Sequence, residues 1–144
     1  ADLLLRQSDV ATSDLKDNVG IILANSVSSL DIDTIYEQTI ASPENYFPSP
    51  SSFVYTLANI VMGEICIKYK ITGENTFFIA QNIEKAHLDE KVCMAFEQGK
   101  MQTVICGWID FMENSCQTFV MLVQSEETSG CQEFTSENIL KLYN

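Results

Sequence analysis

Val19-Gly20-Ile21-Ile22-Leu23-Ala24-Asn25 is a short apolar run set between polar flanks. Without polar alternation, a run of this length marks a strand buried on both faces rather than one lying half in solvent. Three further segments read as strands. Residues 75–80 hold Phe77-Phe78-Ile79 at their heart, Thr103-Val104-Ile105-Cys106-Gly107-Trp108 is a second buried run, and residues 116–124 form a third. Asn114-Ser115 separates the last two by too little for a helix, so they are expected to pair as an antiparallel hairpin.

Helical period fills the intervals. Residues 31–40 space Ile32, Ile35, Tyr36 and Ile40 along one face before Ser42-Pro43 stops them. Residues 43–50 hold all three prolines and read as an extended loop, not a domain linker. From Ser51 or Ser52 as N-cap, the pattern predicts one long helix to about Lys70. Its stripe of Val54, Leu57, Ala58, Val61 and Ile65, with Met62, Cys66 and Tyr69 beside it, implies a central, nearly enclosed helix that Gly73 closes. Residues 83–98 return to helical period and end at Gly99, residues 126–130 read as a turn, and Thr135 caps a final short helix to Tyr143. Leu3 to Leu5 and the polar residues up to Asp17 read as a weak, frayed helix or a lead-in. Buried strands alternating with helices mean a layered α/β fold, and the closing hairpin makes its sheet mixed, in a single domain over residues 1–144.

Bulk properties narrow the function. With 46% apolar and 19% charged residues, the 144-residue chain is composed to pack a core. Twenty acids against eight bases give a net charge of −12, and no run of Lys or Arg interrupts the excess. Nucleic acid and anionic membranes are therefore poor partners, and acidic carrier proteins would be repelled unless Lys68, Lys70, Lys85, Lys91 and Lys100 gather on one face. Five cysteines, at 66, 93, 106, 116 and 131, form no CxxC pair and are odd in number, which fits a reduced cytoplasmic setting and free thiols acting as small hydrophobes, not metal ligands. No apolar stretch reaches the roughly 20 residues that span a bilayer, and no signal pattern opens the chain. The sequence begins at Ala1 rather than Met, which leaves room for an upstream segment.

No catalytic set emerges from the residues alone. There is no phosphate-cradling Gly loop, GxSxG or HExxH, and the single histidine, His87, has no Cys or Ser beside it to make a triad, so a structural role is expected. Asp31 and Asp33 open a helix, where acids meet its dipole favourably, and Glu126-Glu127 lies in a turn; neither pair has the apolar walls that shift a pKa.

Two stretches carry a family resemblance. The first runs from Pro48-Ser49-Pro50-Ser51-Ser52 through Asn59 and Gly63 to Tyr69-Lys70-Ile71-Thr72-Gly73-Glu74-Asn75. It resembles the ketosynthase segment in which a Pro/Ser loop leads to an Asn, a Gly four residues on, a buried helix and a turn before the nucleophile strand. The second is the interval from Gly73 to Cys106-Gly107-Trp108, which in ketosynthases holds a strand ending in the nucleophilic Cys, a helix starting there, and a strand ending in a Gly pair. Over residues 15–124 the chain is similar to beta-ketoacyl synthase N-terminal-like proteins, including short members of aryl-polyene and flexirubin-type pigment pathways. The resemblance implies a thiolase-like half-fold, no cofactor and no metal.

The departures from that pattern decide what is expected of the chain. Counting from Gly73 puts Asn82 at the nucleophile position, or Gln81 after a one-residue slip. A carboxamide cannot form an acyl thioester, which needs a thiolate activated at a helix N-terminus. Family members also take two histidines and a lysine from a C-terminal half, whereas this sequence ends at Asn144 and His87 precedes that region. The resemblance thus implies a non-enzyme, a chain-length-factor type of subunit in a fatty-acid, polyketide or aryl-polyene type pathway. It would form a heterodimer with an active ketosynthase, or a homodimer, and meet acyl carrier protein only indirectly. The corresponding ketosynthase strand makes the dimer, which assigns Thr76, Phe77, Phe78 and Ile79 to a dimer or tunnel interface. Two alternatives remain: a small acyltransferase or thioesterase using Cys106 or Cys93, and a truncated remnant without activity.

Overall fold

A computed structural model describes residues 1–6, 8, 16–112, 115–126 and 132–144. The described strands form one four-stranded sheet in the order β2-β1-β3-β4, with β1 Val19–Asn25, β2 Asn75–Ile79, β3 Thr103–Met112 and β4 Ser115–Gln124. β1 is parallel to β2 and β3, and β3 pairs antiparallel with β4 over its whole length, so the sheet is mixed and ends in the expected hairpin.

Every residue of β1 is buried, because strands flank it on both sides and helices cover both of its faces. Period-two geometry divides its side chains between two cores. Ile22 and Ala24 join Val104, Cys106, Trp108 and Val123 beneath the helices α5 (Ile83–Ala86), α6 (Leu88–Glu97) and α7 (Ser136–Tyr143). Val19, Ile21 and Leu23 join Ile105 against Leu5 of α1 (Asp2–Arg6) and Met62 of α4 (Ile60–Tyr69). Truncating Leu23 to Ala would cost about 2–5 kcal/mol on this packing. Leu5 is fully buried, so the residues at the start of the lead-in are docked; residues 7 and 9–15 lie outside the described part, as do 127–130 of the expected turn and Cys131.

Two glycines are required by close approach. A Cβ on Gly107 would sit 2.3 Å from the Phe119 carbonyl oxygen and 2.8 Å from the Val120 Cα, and one on Gly73 would sit 2.1 Å from the Val19 carbonyl oxygen. Lys16 closes the same corner. Its backbone bridges to Ile71, and its buried ammonium donates to the Tyr69 carbonyl at 2.7 Å, where a cation meets the negative end of α4.

The helices depart from expectation in three places. The long helix expected from Ser51 or Ser52 to Lys70 is two, α3 (Pro50–Tyr55) and α4, separated by residues 56–59. Ser49 is the N-cap of α3, accepting the Ser52 N–H, and Pro50 occupies the first turn, where its missing N–H costs nothing. Nor is the pair enclosed: α3 buries no residue and α4 buries only Met62. Lys70, in the left-handed region at φ 55°, ends α4 in place of Gly73. Residues 83–98 likewise split at His87, whose φ of 47° interrupts the helical path between α5 and α6. α2 (Leu30–Ile40) and Thr135 as N-cap of α7 match the sequence reading, whereas the expected extended loop over residues 43–50 opens with a 3-10 turn at Pro43–Asn45 and gives way to α3 at Pro50.

Candidate functional site

The β2–α5 junction holds the two residues assigned to the nucleophile position. β2 delivers the chain through Ala80 to Gln81 and Asn82, both exposed. Asn82 is extended (φ −159°, ψ 175°), and its side-chain oxygen accepts the Lys85 N–H at 2.9 Å. It is therefore a conventional N-cap, satisfying one of the orphaned donors at the start of α5. The junction is thus a strand, a turn and a helix capped by a carboxamide.

Gln81 and Asn82 open onto a cleft of about 240 Å³ whose other lining includes Trp108, Asp110, Gln117 and Tyr143. Asp110 accepts hydrogen bonds from the Ser26 N–H (3.1 Å) and hydroxyl (2.5 Å), and the Tyr143 hydroxyl donates to Gln117 at 2.9 Å. Sequence reasoning missed these four residues. For Trp108 and Asp110 the signal was the C-terminal end of a buried parallel strand, where open α/β sheets present their functional groups; Gln117 and Tyr143 had none. Among the described residues this cleft offers donors, acceptors and an indole, but neither a thiol nor an imidazole. His87 instead faces Glu90 at 3.7 Å and lines a separate cleft with Asp89 and Ser136, so it brings no base to Asn82.

Neither of the two cysteines named for an alternative chemistry brings a reactive thiol to this cleft. Cys106 is wholly buried in the sheet, where burial, aided by the charge of Asp89, pushes its thiol up to about 12. Such a group stays protonated and unreactive at neutral pH. Cys93 is exposed on α6, outside the Asn82 cleft.

At the proposed interface, Phe77 and Phe78 part to opposite faces of β2. Phe77 packs on the α4-side core and Phe78 on the α6-side core, with the Lys91 ammonium 4.4 Å above its ring centre. Thr76 is half-buried and Ile79 is exposed. The open feature of β2 is its backbone. β2 is an edge strand, and its parallel register with β1 turns the N–H and C=O groups of Asn75, Phe77 and Ile79 outward, while Ala80 N–H is spent on Asn25. The five lysines do not gather: Lys68 and Lys70 lie at the end of α4, and Lys85 and Lys91 on the opposite layer.

No family model matches the chain, and no curated protein does. Among solved structures it is similar to the ishigamide ketosynthase/chain length factor, at 14% identity and a TM-score of 0.59 over 70% of this chain and 28% of that one. It is also similar to a chain in the complex of the ketosynthase ApeO with its chain length factor ApeC from Xenorhabdus doucetiae. That match has 14% identity and a TM-score of 0.53 over 76% of this chain and 41% of the other. The chain thus spans less than half the length of either. At this identity the likeness is one of architecture, and the architecture is the thiolase-like fold of ketosynthases and chain length factors.

Proposed function

We propose that this chain is a non-catalytic, chain-length-factor-type subunit that pairs with an active 3-oxoacyl-acyl-carrier-protein synthase in a fatty-acid, polyketide or aryl-polyene type pathway of the cytoplasm. The observation that carries this reading is Asn82: it stands at an intact strand-to-helix junction of a ketosynthase-like fold and serves there as a helix cap. A thioester cannot form on it. Pairing is assigned to the β2 edge, with Thr76, Phe77, Phe78 and Ile79 at or behind the junction. The described residues share one sheet and its two helical layers, which supports a single domain. A heterodimer is favoured over a homodimer because two copies each carrying −12 repel, and the same charge leaves direct carrier docking to the partner.

The test is co-expression with the ketosynthase encoded beside it, followed by affinity purification. A stoichiometric complex is expected, and Ile79→Pro should abolish it. The Ile79 N–H points outward, so proline there removes no hydrogen bond within the sheet, while it blocks addition of a strand. A stable monomer that ignores that ketosynthase would overturn the proposal.

A further inference from the structure

Residues 30–57 form an excursion that leaves the sheet after β1 and buries none of its helical residues: α2, the 3-10 turn and α3 have no buried side chain. Leu30, Ile35, Phe47, Phe53, Tyr55 and Leu57 are all exposed, Phe47 by 87%. Where the excursion rejoins the sheet it walls a groove of about 220 Å³, with Tyr55, Leu57, Val61, Phe77, Ile109 and Phe111 among its apolar lining and Asp31 its charged lining residue. A cavity of roughly 150 Å³ already takes a benzene-sized group, so the groove can seat a large apolar side chain. Apolar surface of this extent, left open on a folded chain, marks an interaction site.

The charge around the groove says what kind of partner fits. From Asp17 to Ile67 the sequence has six carboxylates and no Lys, Arg or His. Tyr55, on the groove wall, donates its hydroxyl to Glu64 at 2.8 Å. A second copy would bring acid against acid, and an anionic membrane would be repelled likewise. An apolar groove whose charged lining residue is Asp31, within a segment that carries carboxylates and no base, is complementary to an apolar segment flanked by lysines or arginines.

We infer that this groove is a docking site for a protein partner that inserts large apolar side chains from between basic residues. The inference rests on the groove and its rim and is independent of pairing at β2.

Two synthetic peptides with the same Leu and Phe anchors, one flanked by lysines and one by glutamates, test it by fluorescence anisotropy against the full chain. The lysine-flanked peptide should bind at least about tenfold more tightly and weaken several-fold as salt is raised. Leu57→Ser, at a half-exposed position, should weaken it by about tenfold, while Ile67→Ser, 82% exposed on α4 away from the groove, should not. Equal binding of the two peptides, or equal losses in both variants, would overturn the inference, the second outcome exposing mere attraction to an acidic protein. Self-association abolished by Leu57→Ser would also overturn it, by making a second copy the occupant.

Discussion

Replacing Asn82 by Ala removes the side-chain acceptor at the start of α5 and leaves the rest of the junction untouched. α5 has four residues, so its N–H groups are those a helix start leaves without intrahelical partners, and Asn82 satisfies the one at Lys85. Loss of an Asn cap costs about 1 kcal/mol, within a range of 0.5–2. A value in the upper half of that range is expected, because α5 also holds Ile83 and Ala86 in the core and both loosen when the first turn frays. With a urea slope of roughly 2 kcal/mol/M, the unfolding midpoint should fall by roughly 0.6–1.0 M at unchanged slope, and Tm by roughly 3–8 °C. Asn82→Asp keeps an acceptor at the positive end of the helix and should stay within a few tenths of a kcal/mol of wild type. Circular dichroism during urea titration measures all three proteins. An Ala variant as stable as wild type would refute the cap assignment. Asn82→Cys carries the reasoning into function: its exposed thiol should alkylate readily, yet the protein should form no condensed product from acyl and malonyl thioesters, because no imidazole lines the cleft. Product from this single variant would refute the view that more than the nucleophile is missing.

Three other outcomes follow from the packing and charge. Gly107→Ala drives a Cβ into the backbone of Phe119 and Val120, so it should cost several kcal/mol or abolish soluble expression, and a wild-type midpoint would disprove the close approach. In native protein, iodoacetamide should label Cys93 at once and Cys106 only on unfolding; mass spectrometry that finds Cys106 labelled in the folded state would contradict its burial. Burial opposes ionisation of Asp89, but hydrogen bonds from the Ser136 hydroxyl and neighbouring backbone N–H groups outweigh it and hold the carboxyl below its ordinary value of 3.8. Its contribution is therefore fully present above 3.8 and lost as pH falls through the lower folded value. Ser136→Ala should destabilise the protein at pH 6 and progressively less towards about pH 3, and a deficit constant across that window would show that the Asp89 charge is not involved.

The strands were legible because burial on both faces leaves an unbroken apolar run, as in Val19–Asn25, and because the short gap before β4 admits only a hairpin. The helix breaks were not legible, and the reason is non-local. The Ser29 hydroxyl, 27 positions away, donates to the Thr56 carbonyl at 2.6 Å and so takes the acceptor with which a continuous helix would have proceeded. The apolar stripe through Leu57 and Ala58 carries no trace of that competition, since an exposed apolar surface and a buried one have the same composition. At His87 and Lys70 the left-handed turns fall on residues that sequence rules assign to Gly. Gln81 and Asn82 fall between a strand and a helix, where the change of period in the sequence puts them, whereas Asp110, Gln117 and Tyr143 reach the same cleft from three different elements whose convergence no local pattern encodes.

Lys16 has a practical consequence. The chain has seven lysines; six are exposed or half-buried, and Lys16 alone is buried, its amine held on the last carbonyls of α4. An acylating reagent therefore meets six lysine side chains immediately and the seventh only when the bridge to Ile71 parts and the sheet lets go of α4. The slow seventh adduct is a clock built into the chain, reporting how often the fold opens under conditions in which it never measurably unfolds.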